Sequence, residues 1–311
     1  MSDSSKVPKH VAAFREVWEH IVRPALETVN EFIDEDEPPS HLLHFTDIKG
    51  FLGIIGSKQP YLFRATSCDD LNEIAHGVNL AHAEVLRRTE SHLRLFKSEI
   101  LMSFVGRMGD GSEGAQFDPH ICCLTVESNV RQAEHWKTYG NNGTGFALRF
   151  RSEGLIDGPT DRLVKAKGSL AKVMYKLSAQ EERTFELVDL AIRTCREARN
   201  YSQRYAQRNY LKTTQAMGRI IVAHAAIMKR AKFQAENEWR LVNLGIPSKR
   251  DGEMNGRTYY EYLFDPDDLE TVVIGPAQDP AYALEVERLL RQHGFAKTNV
   301  EVAKIELKEA S

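Results

Sequence analysis

The pattern of apolar and polar positions divides the chain into an N-terminal helix, a strand-rich body and one long helical segment. In residues 8–33, apolar side chains recur at spacings of three and four, which is typical of an amphipathic helix. Pro24 is expected to kink or divide that helix, because proline lacks the backbone N–H that continues the ladder. The acidic, proline-containing stretch 34–39 indicates a linker.

From residue 41 onward, short apolar runs between turn residues predict strands. A short helix capped by Asp47, a helix over 74–101 and a long helical region at about 179–235, with a possible break near Gly218, lie between them. The chain ends in a strand, a helix at 282–293 and a strand at 300–307, which is a β-α-β unit. The predicted strands are 41–46, 61–64, 121–126, 146–150, 238–244, 259–264 and 271–274.

These elements predict an α+β fold with a mixed, mostly antiparallel central sheet of about six to eight strands. The sequence suggests residues 1–40 as an N-terminal helix with its acidic linker. Residues 41–311 then form a single α+β domain that carries the helical insertion and ends in the β-α-β unit. A chain of 311 residues with 42% apolar content can bury a core of this size.

Composition restricts the cellular setting and the partners. The net charge of −3 and the pI near 6.4 give no global basic field that would draw the chain to nucleic acid or membranes. The apolar runs are shorter than the roughly 20 residues that span a bilayer, and the N-terminus lacks the apolar core of a secretory signal. No pair among Cys68, Cys122, Cys123 and Cys195 has the two-residue spacing of metal ligands. We therefore expect buried, reduced thiols, a cytoplasmic location and no membrane association.

His44 and Thr46 are the first candidate binding residues. Two positions apart in a strand, they share a face while Phe45 points into the core. Imidazole and hydroxyl groups both donate and accept hydrogen bonds, which suits a ribose diol. The alternative is a pair of satisfied polar residues at a strand end.

Glu236 and Glu238 are the candidate catalytic residues. At a strand start they would share a face, with Trp239 on the other. A carboxylate beside a sugar can stabilise an oxocarbenium-like transition state, which carries developing positive charge. The alternative is a surface glutamate paired with Arg240.

Trp136 and Tyr139, with His135, are at helical spacing before a glycine-rich turn. Either aromatic ring could stack on nicotinamide or adenine, although core packing also explains aromatic residues at this spacing.

Two further groups of charged residues permit both a functional and a structural interpretation. An acidic group could hold a divalent metal, or it could form a turn and a helix cap; it comprises Asp69, Asp70, Asn72 and Glu73. A basic run interleaved with tyrosines could bind nucleic acid, or it could be a solvated helical face; it comprises Arg193, Arg196, Arg199, Arg204, Arg208, Lys212, Arg219, Lys229, Arg230 and Lys232.

Taken in order, the densest blocks resemble a bacterial family known as a domain of unknown function, number 2971 in its series. The resemblance covers roughly residues 41–308. The blocks are Leu43-His44-Phe45-Thr46, Tyr61-Leu62-Phe63-Arg64, Asp70-Leu71-Asn72-Glu73, Cys123-Leu124-Thr125, Trp136 to Tyr139-Gly140, Gly145 to Phe150, Phe233 to Arg240, and Val273 to Pro276.

A second resemblance implies an activity. The His-x-Thr strand, the Tyr61 strand and the late glutamate are similar to the His–Tyr–Glu arrangement of ADP-ribosyltransferases. That resemblance implies NAD as substrate, with His44 and Thr46 holding the adenosine ribose. It also implies that Tyr61 or Tyr139 stacks on nicotinamide and that Glu238, or Glu236, is catalytic.

Two functions follow as hypotheses. The first is an NAD-dependent ADP-ribosyltransferase-like enzyme, a phage-defence or toxin effector that modifies a nucleic-acid or protein acceptor. The second is a non-catalytic nucleotide- or nucleic-acid-binding module of a defence system. A metal-dependent nuclease built on the acidic group is a third. The single-site hypothesis requires His44 and Thr46 to face Glu238 across one cleft.

Overall fold

A computed structural model describes nine segments of the chain, residues 9–33, 36–65, 71–88, 119–157, 169–201, 203–243, 251–254, 257–262 and 264–305. Within them, ten strands form one sheet. The strands are β1 (His41–Thr46), β2 (Tyr61–Arg64), β3 (His120–Val126), β4 (Phe146–Arg151), β5 (Ser169–Lys172), β6 (Glu238–Asn243), β7 (Asp251–Met254), β8 (Arg257–Glu261), β9 (Leu269–Ile274) and β10 (Asn299–Val302).

The strands are ordered β10-β9-β4-β1-β3-β2-β8-β7, and β6 pairs with β3 and with β5 outside that path. Every strand pair between described residues is antiparallel except β9–β10, which is parallel and joined by a helix. The predicted α+β fold, with a mixed and mostly antiparallel sheet and a closing β-α-β unit, is therefore confirmed.

Nine α-helices are described. They are α1 (Lys9–Val17), α2 (Arg23–Ile33), α3 (Ile48–Ser57), α4 (Leu71–Arg87), α5 (Ala133–Tyr139), α6 (Ser152–Asp157), α7 (Leu177–Tyr201), α8 (Ala206–Ala225) and α9 (Tyr282–Gln292). As predicted, Asp47 caps α3, because its carboxylate accepts the N–H of Gly50 at 2.7 Å. No described helix has the length and apolar character that crossing a membrane requires.

The two faces of the sheet are covered differently. The back face, defined by Leu42, Leu124 and Trp239, packs against α3, α6 and α9 in one apolar cluster. The front face, defined by Leu43, Thr125 and Glu238, carries two separate apolar clusters. One is formed with α4, α7 and α8, and the other surrounds Trp136 of α5. The front face is therefore covered by two helical groups rather than one.

The N-terminal helix is continuous but irregular. A π-helical turn, Trp18–Val22, joins α1 to α2 just before Pro24. The predicted irregularity is thus present, and its physical cause is that proline cannot donate to the carbonyl four residues earlier. Val17 and Val22 are fully buried in a cluster with Ala198 of α7, so this segment packs on the helical insertion.

The long insertion is divided at a different place from the one predicted. The break expected near Gly218 is wrong, since α8 runs through that residue, and the chain instead turns between α7 and α8. A helical glycine costs only about 1 kcal/mol relative to alanine, which the burial of neighbouring Met217 and Ile220 offsets. Strands β5 and β7 were not predicted from the sequence.

Candidate functional site

Two carboxylates converge on one lysine at the start of β6. Glu236 ends a 3₁₀ helix and Glu238 begins the strand, while Asn237 between them has a left-handed backbone with φ of 43°. Asparagine tolerates that conformation better than most residues. Lys229 Nζ donates to Glu238 Oε2 at 3.1 Å and also to Glu236 Oε2. The carboxylates therefore meet because of a reversal at Asn237, and not through the strand alternation predicted.

Arg240 completes the charged cluster. It lies two residues beyond Glu238 on the same face of β6, and its Nε and Nη2 donate to the two oxygens of that carboxylate at 2.7 and 3.1 Å. Burial raises the pKa of Glu238, but the charges of Arg240 and Lys229 outweigh burial and lower that pKa to about 2. Glu238 is thus a buried carboxylate that stays ionised throughout the physiological range.

Tyr139 and Glu236 lie at the open side of the cluster. The Tyr139 hydroxyl donates to Glu236 Oε1 at 2.7 Å, and the residue is 41% exposed. Burial, followed by this bond to the carboxylate, raises the pKa of the phenol. The Glu236 side chain is 17% exposed, compared with 6% for Glu238. Glu236 is therefore the carboxylate that a ligand can reach.

The backbone of this segment is held by side chains from three other parts of the chain. Thr125 Oγ1 and Asn129 Nδ2 donate to the carbonyl of Glu236 at 2.6 and 2.8 Å. The Tyr175 hydroxyl accepts the N–H of Glu238 at 3.0 Å. These bonds fix the position of both carboxylates before any ligand arrives.

His135 and Cys123 line the same region. The His135 ring lies 5.0 Å from the rings of Tyr139 and Phe45. Burial lowers the pKa of His135 and Glu238 raises it, while Lys229 lowers it further, to about 4. The imidazole is therefore neutral at pH 7 and can donate from one nitrogen and accept at the other. The Cys123 thiol, on an exposed residue, donates to the Glu238 carboxylate.

His44 and Thr46 do not join this cluster. Leu43 is directly opposite Thr125, and Thr125 is directly opposite Glu238, so these three side chains share the front face. His44 follows Leu43 in the strand, and Thr46 lies two residues further on, so both face the back. The cleft expected between His44, Thr46 and Glu238 is thus not formed, because the sheet itself separates them.

His44 occupies the gap where β1 and β3 diverge. Its Nδ1 donates to the carbonyl of Cys123 at 3.0 Å and lies 3.6 Å from Cys122 Sγ. Burial lowers the pKa of His44, but the charge of Cys122 and these two hydrogen bonds raise it to about 9. Thr46 lies against α3, close to where a Cβ on Gly50 would be. His44 and Thr46 are therefore both in contact with neighbouring elements of the fold, His44 with β3 and Thr46 with α3.

The remaining predicted binding residues have two different outcomes. Trp136 is 1% exposed, and its Nε1 donates to the carbonyl of Val130 at 2.7 Å, so its ring faces are packed in the core and cannot stack on a ligand. Tyr61 begins β2, and its side chain lies outside the described residues. Asp69 and Asp70 of the acidic group also lie outside them, as do the side chains of Asn72 and Glu73.

A groove of about 410 Å³ opens elsewhere on the front face, between β1, β4, β9 and β10. Arg149 is its central cation, 2.7 Å from Glu127 Oε1 and 3.1 Å from Glu270 Oε2. Carboxylates therefore compensate this guanidinium, and Arg131, Glu301 and Lys304 also line the groove.

Sequence reasoning missed Lys229 as a member of the site. It is one of many basic residues in the long helical region, and nothing in its local pattern marks it as buried. The one available signal was its position seven residues before Glu236, which allows contact only because the chain turns through a 3₁₀ helix.

Comparison with known proteins supports one part of the expected relationship. No curated protein and no solved structure matches the chain. Residues 135–241 match the sequence model of a family described as "Protein of unknown function (DUF2971)". That stretch includes His135, Tyr139, Lys229, both glutamates and Arg240, and it excludes His44 and Thr46. Over these residues, the chain is similar to a family of unknown function whose matched region carries the charged cluster.

Proposed function

We propose that this chain is an NAD-consuming enzyme of the ADP-ribosyltransferase type, with Glu236 as the carboxylate that stabilises the transition state. The observation that carries the proposal is the position of Glu236 at the open side of a preorganised cluster. Its two oxygens are held by Lys229 and by the Tyr139 hydroxyl, and the ring of Tyr139 is exposed beside it. A carboxylate fixed before substrate binding needs no reorganisation as charge develops in the transition state.

Cleavage of NAD requires a negatively charged group near the anomeric carbon of the ribose. In NAD the bond between C1′ of the ribose and the nicotinamide nitrogen breaks, and its electron pair leaves with nicotinamide. Positive charge develops at C1′ and on the ring oxygen, where the Glu236 carboxylate stabilises it. The acceptor then forms a bond to C1′ and releases one proton. Tyr139 supplies a ring face for the departing nicotinamide.

Glu238 has a positioning role in this proposal. Its carboxylate is buried and bonded to Arg240 and Lys229, and it orients Lys229 toward Glu236. In this proposal His135 binds the ribose hydroxyls, because its neutral ring both donates and accepts hydrogen bonds. His135 thus replaces His44, which the resemblance had assigned to the dinucleotide.

Release of nicotinamide tests the proposal. The protein is incubated with NAD and a mixture of protein, RNA and DNA acceptors, and free nicotinamide is quantified by chromatography. We expect Glu236→Gln to lower the rate at least about 100-fold, in line with the loss of a preorganised electrostatic group. Tyr139→Phe should cost less, because the ring remains.

Glu134→Gln is the matched control. Glu134 lies on α5, near Tyr139 in sequence, and its side chain is 79% exposed. This variant should keep the full rate. Equal rates for Glu236→Gln and the parent chain, or no release of nicotinamide by the parent chain with any acceptor, would overturn the proposal.

A second function, a nucleotide-binding module without catalysis, is favoured by one observation. Each charge at the centre of the cluster already has a partner of opposite sign, as in a structural ion network. Calorimetric titration distinguishes the two functions. NAD that binds and stays intact, with binding lost in Tyr139→Ala, supports the module.

A further inference from the structure

We propose that the turn between α7 and α8 binds single-stranded nucleic acid. We call residues 193–201 and 203–212 the hairpin tip. The segment carries six basic side chains and one acidic one, Glu197, in a chain whose net charge is −3. The surplus of positive charge is therefore local, and the proposal is independent of any activity at Glu236.

The basic side chains of the hairpin tip are on its surface. Five arginines in it are exposed, and Lys212 is half-buried with its Nζ 4.8 Å from the centre of the Phe14 ring. The five are Arg193, Arg196, Arg199, Arg204 and Arg208. Guanidinium groups bind phosphate oxygens in pairs, and they are more weakly hydrated than ammonium groups. The hairpin tip thus presents five exposed guanidinium groups at one end of the helical insertion.

Aromatic rings accompany these arginines, and they favour a single strand over a duplex. Tyr201 is 44% exposed at the end of α7, and the Arg204 guanidinium lies 5.6 Å from the centre of the Tyr205 ring. Bases of a single strand stack on exposed tyrosines and on arginine planes, whereas the bases of a duplex are already stacked. His20 lies 6.2 Å from Tyr201 and leaves much of that residue exposed.

The adjacent N-terminal helix does not cancel the positive charge. On the part of it that lies near the hairpin tip, Arg15 and Arg23 balance Glu16 and Glu19, and Arg23 is paired with Glu19. Arg193 is paired with Asp189 of α7 at 3.0 Å, so the field of the hairpin tip is set by its remaining arginines. Complementarity of charge and the exposed tyrosine together identify a polyanion with unstacked bases as the partner.

Fluorescence anisotropy with labelled 20-nucleotide oligouridine and oligothymidine tests the proposal on the full chain. With three to five phosphate contacts, affinity should fall roughly 20- to 100-fold between 50 and 200 mM salt. The triple variant Arg199→Glu, Arg204→Glu and Arg208→Glu should weaken binding by at least about tenfold. Tyr201→Ala should weaken it about fivefold or more through lost stacking.

A second triple variant controls for the change in total charge. Arg288→Glu, Arg291→Glu and Lys297→Glu reverse three exposed cations in and after α9, and they should leave the affinity within about twofold of the parent chain, since they lie away from the hairpin tip. Equal losses in the two triple variants, absence of binding at 50 mM salt, or tighter binding of a duplex of the same length would each overturn the proposal. Thermal unfolding of every variant checks that the fold is kept.

Discussion

At the level of single residues, the charged cluster depends on Lys229. Its ammonium group compensates two carboxylates, and its side chain is largely buried. Removing one member of a buried ion network leaves charge without a partner, which costs more than the network contributes as a whole. Lys229→Met should therefore lower the free energy of unfolding by about 3–5 kcal/mol.

Urea denaturation measures this loss, and Lys172→Met provides the comparison. Lys172 forms an exposed ion pair with Asp36 at 3.0 Å, so its loss should change stability by less than about 1 kcal/mol. Lys229→Met combined with Glu236→Gln should recover part of the loss, because Glu236, which Lys229 compensates in the parent chain, then carries no charge, while Glu238 keeps its partner Arg240. Similar effects of the two lysine variants would show that the cluster is not energetically coupled.

Buried histidines give a second prediction at this scale. Burial lowers the pKa of His135 and of His224 to about 4, and Arg183 adds to the effect at His224. Their unfolded pKa is 6.5, so the unfolded chain binds more protons between pH 4 and 6.5. Each histidine should thus lower stability by up to about 1.4 kcal/mol per pH unit as the pH falls through this window.

Denaturation at pH 4.5, 5.5 and 6.5 measures that slope. His224→Gln should lower this slope by up to about 1.4 kcal/mol per pH unit, the contribution of one proton. His224 Nδ1 bonds to the carbonyl of Ile220, so the added proton would have to go to the other ring nitrogen. An identical slope in the parent chain and in His224→Gln would refute the lowered pKa of His224.

At the level of elements, the contact between α4 and α8 sets how the front face is covered. A Cβ on Gly77 of α4 would lie 2.7 Å from the Cα of Ala225 in α8, closer than atoms can approach. Gly77→Ala should therefore destabilise the fold by about 1–3 kcal/mol, despite alanine's better helix propensity. Gly56 in α3 has nothing within 4 Å of the same position, so Gly56→Ala should stabilise by up to about 1 kcal/mol. Chemical denaturation compares the two, and the same sign for both changes would contradict the close packing.

The sequence predicted individual strands and helices best, because their signals are local. Strand β1 and helix α3 follow directly from the run around His44 and from the Asp47 cap, both local signals. The division of the predicted site depends instead on register: Leu43 pairs with Thr125, which places His44 on the other face from Glu238. Long-range register leaves no mark in a local pattern, so a shared cleft could not be distinguished from two opposite faces.

At the level of the whole molecule, unfolding experiments distinguish an N-terminal helix, residues 9–33, that is a separate unit from one that is part of a single cooperative fold. Val22 is fully buried where the N-terminal helix meets α7, whereas Val11 is 38% exposed on the same segment. A carboxylate at Val22 would be buried without a partner, which costs several kcal/mol. If the helix belongs to one fold, Val22→Asp should lower the midpoint of a single thermal transition by more than about 10 °C.

Val11→Asp introduces the same charge at an exposed position, so its midpoint should stay within about 2 °C of the parent chain. Circular dichroism follows both variants through unfolding. A new early transition in Val22→Asp, with the main transition unmoved, would instead show that the N-terminal helix detaches independently. A single transition that shifts as a whole would mean that the molecule unfolds as one cooperative unit. The N-terminal helix, the hairpin tip and the charged cluster would then be stabilised together, because a perturbation at one end of the insertion lowers the stability of all three.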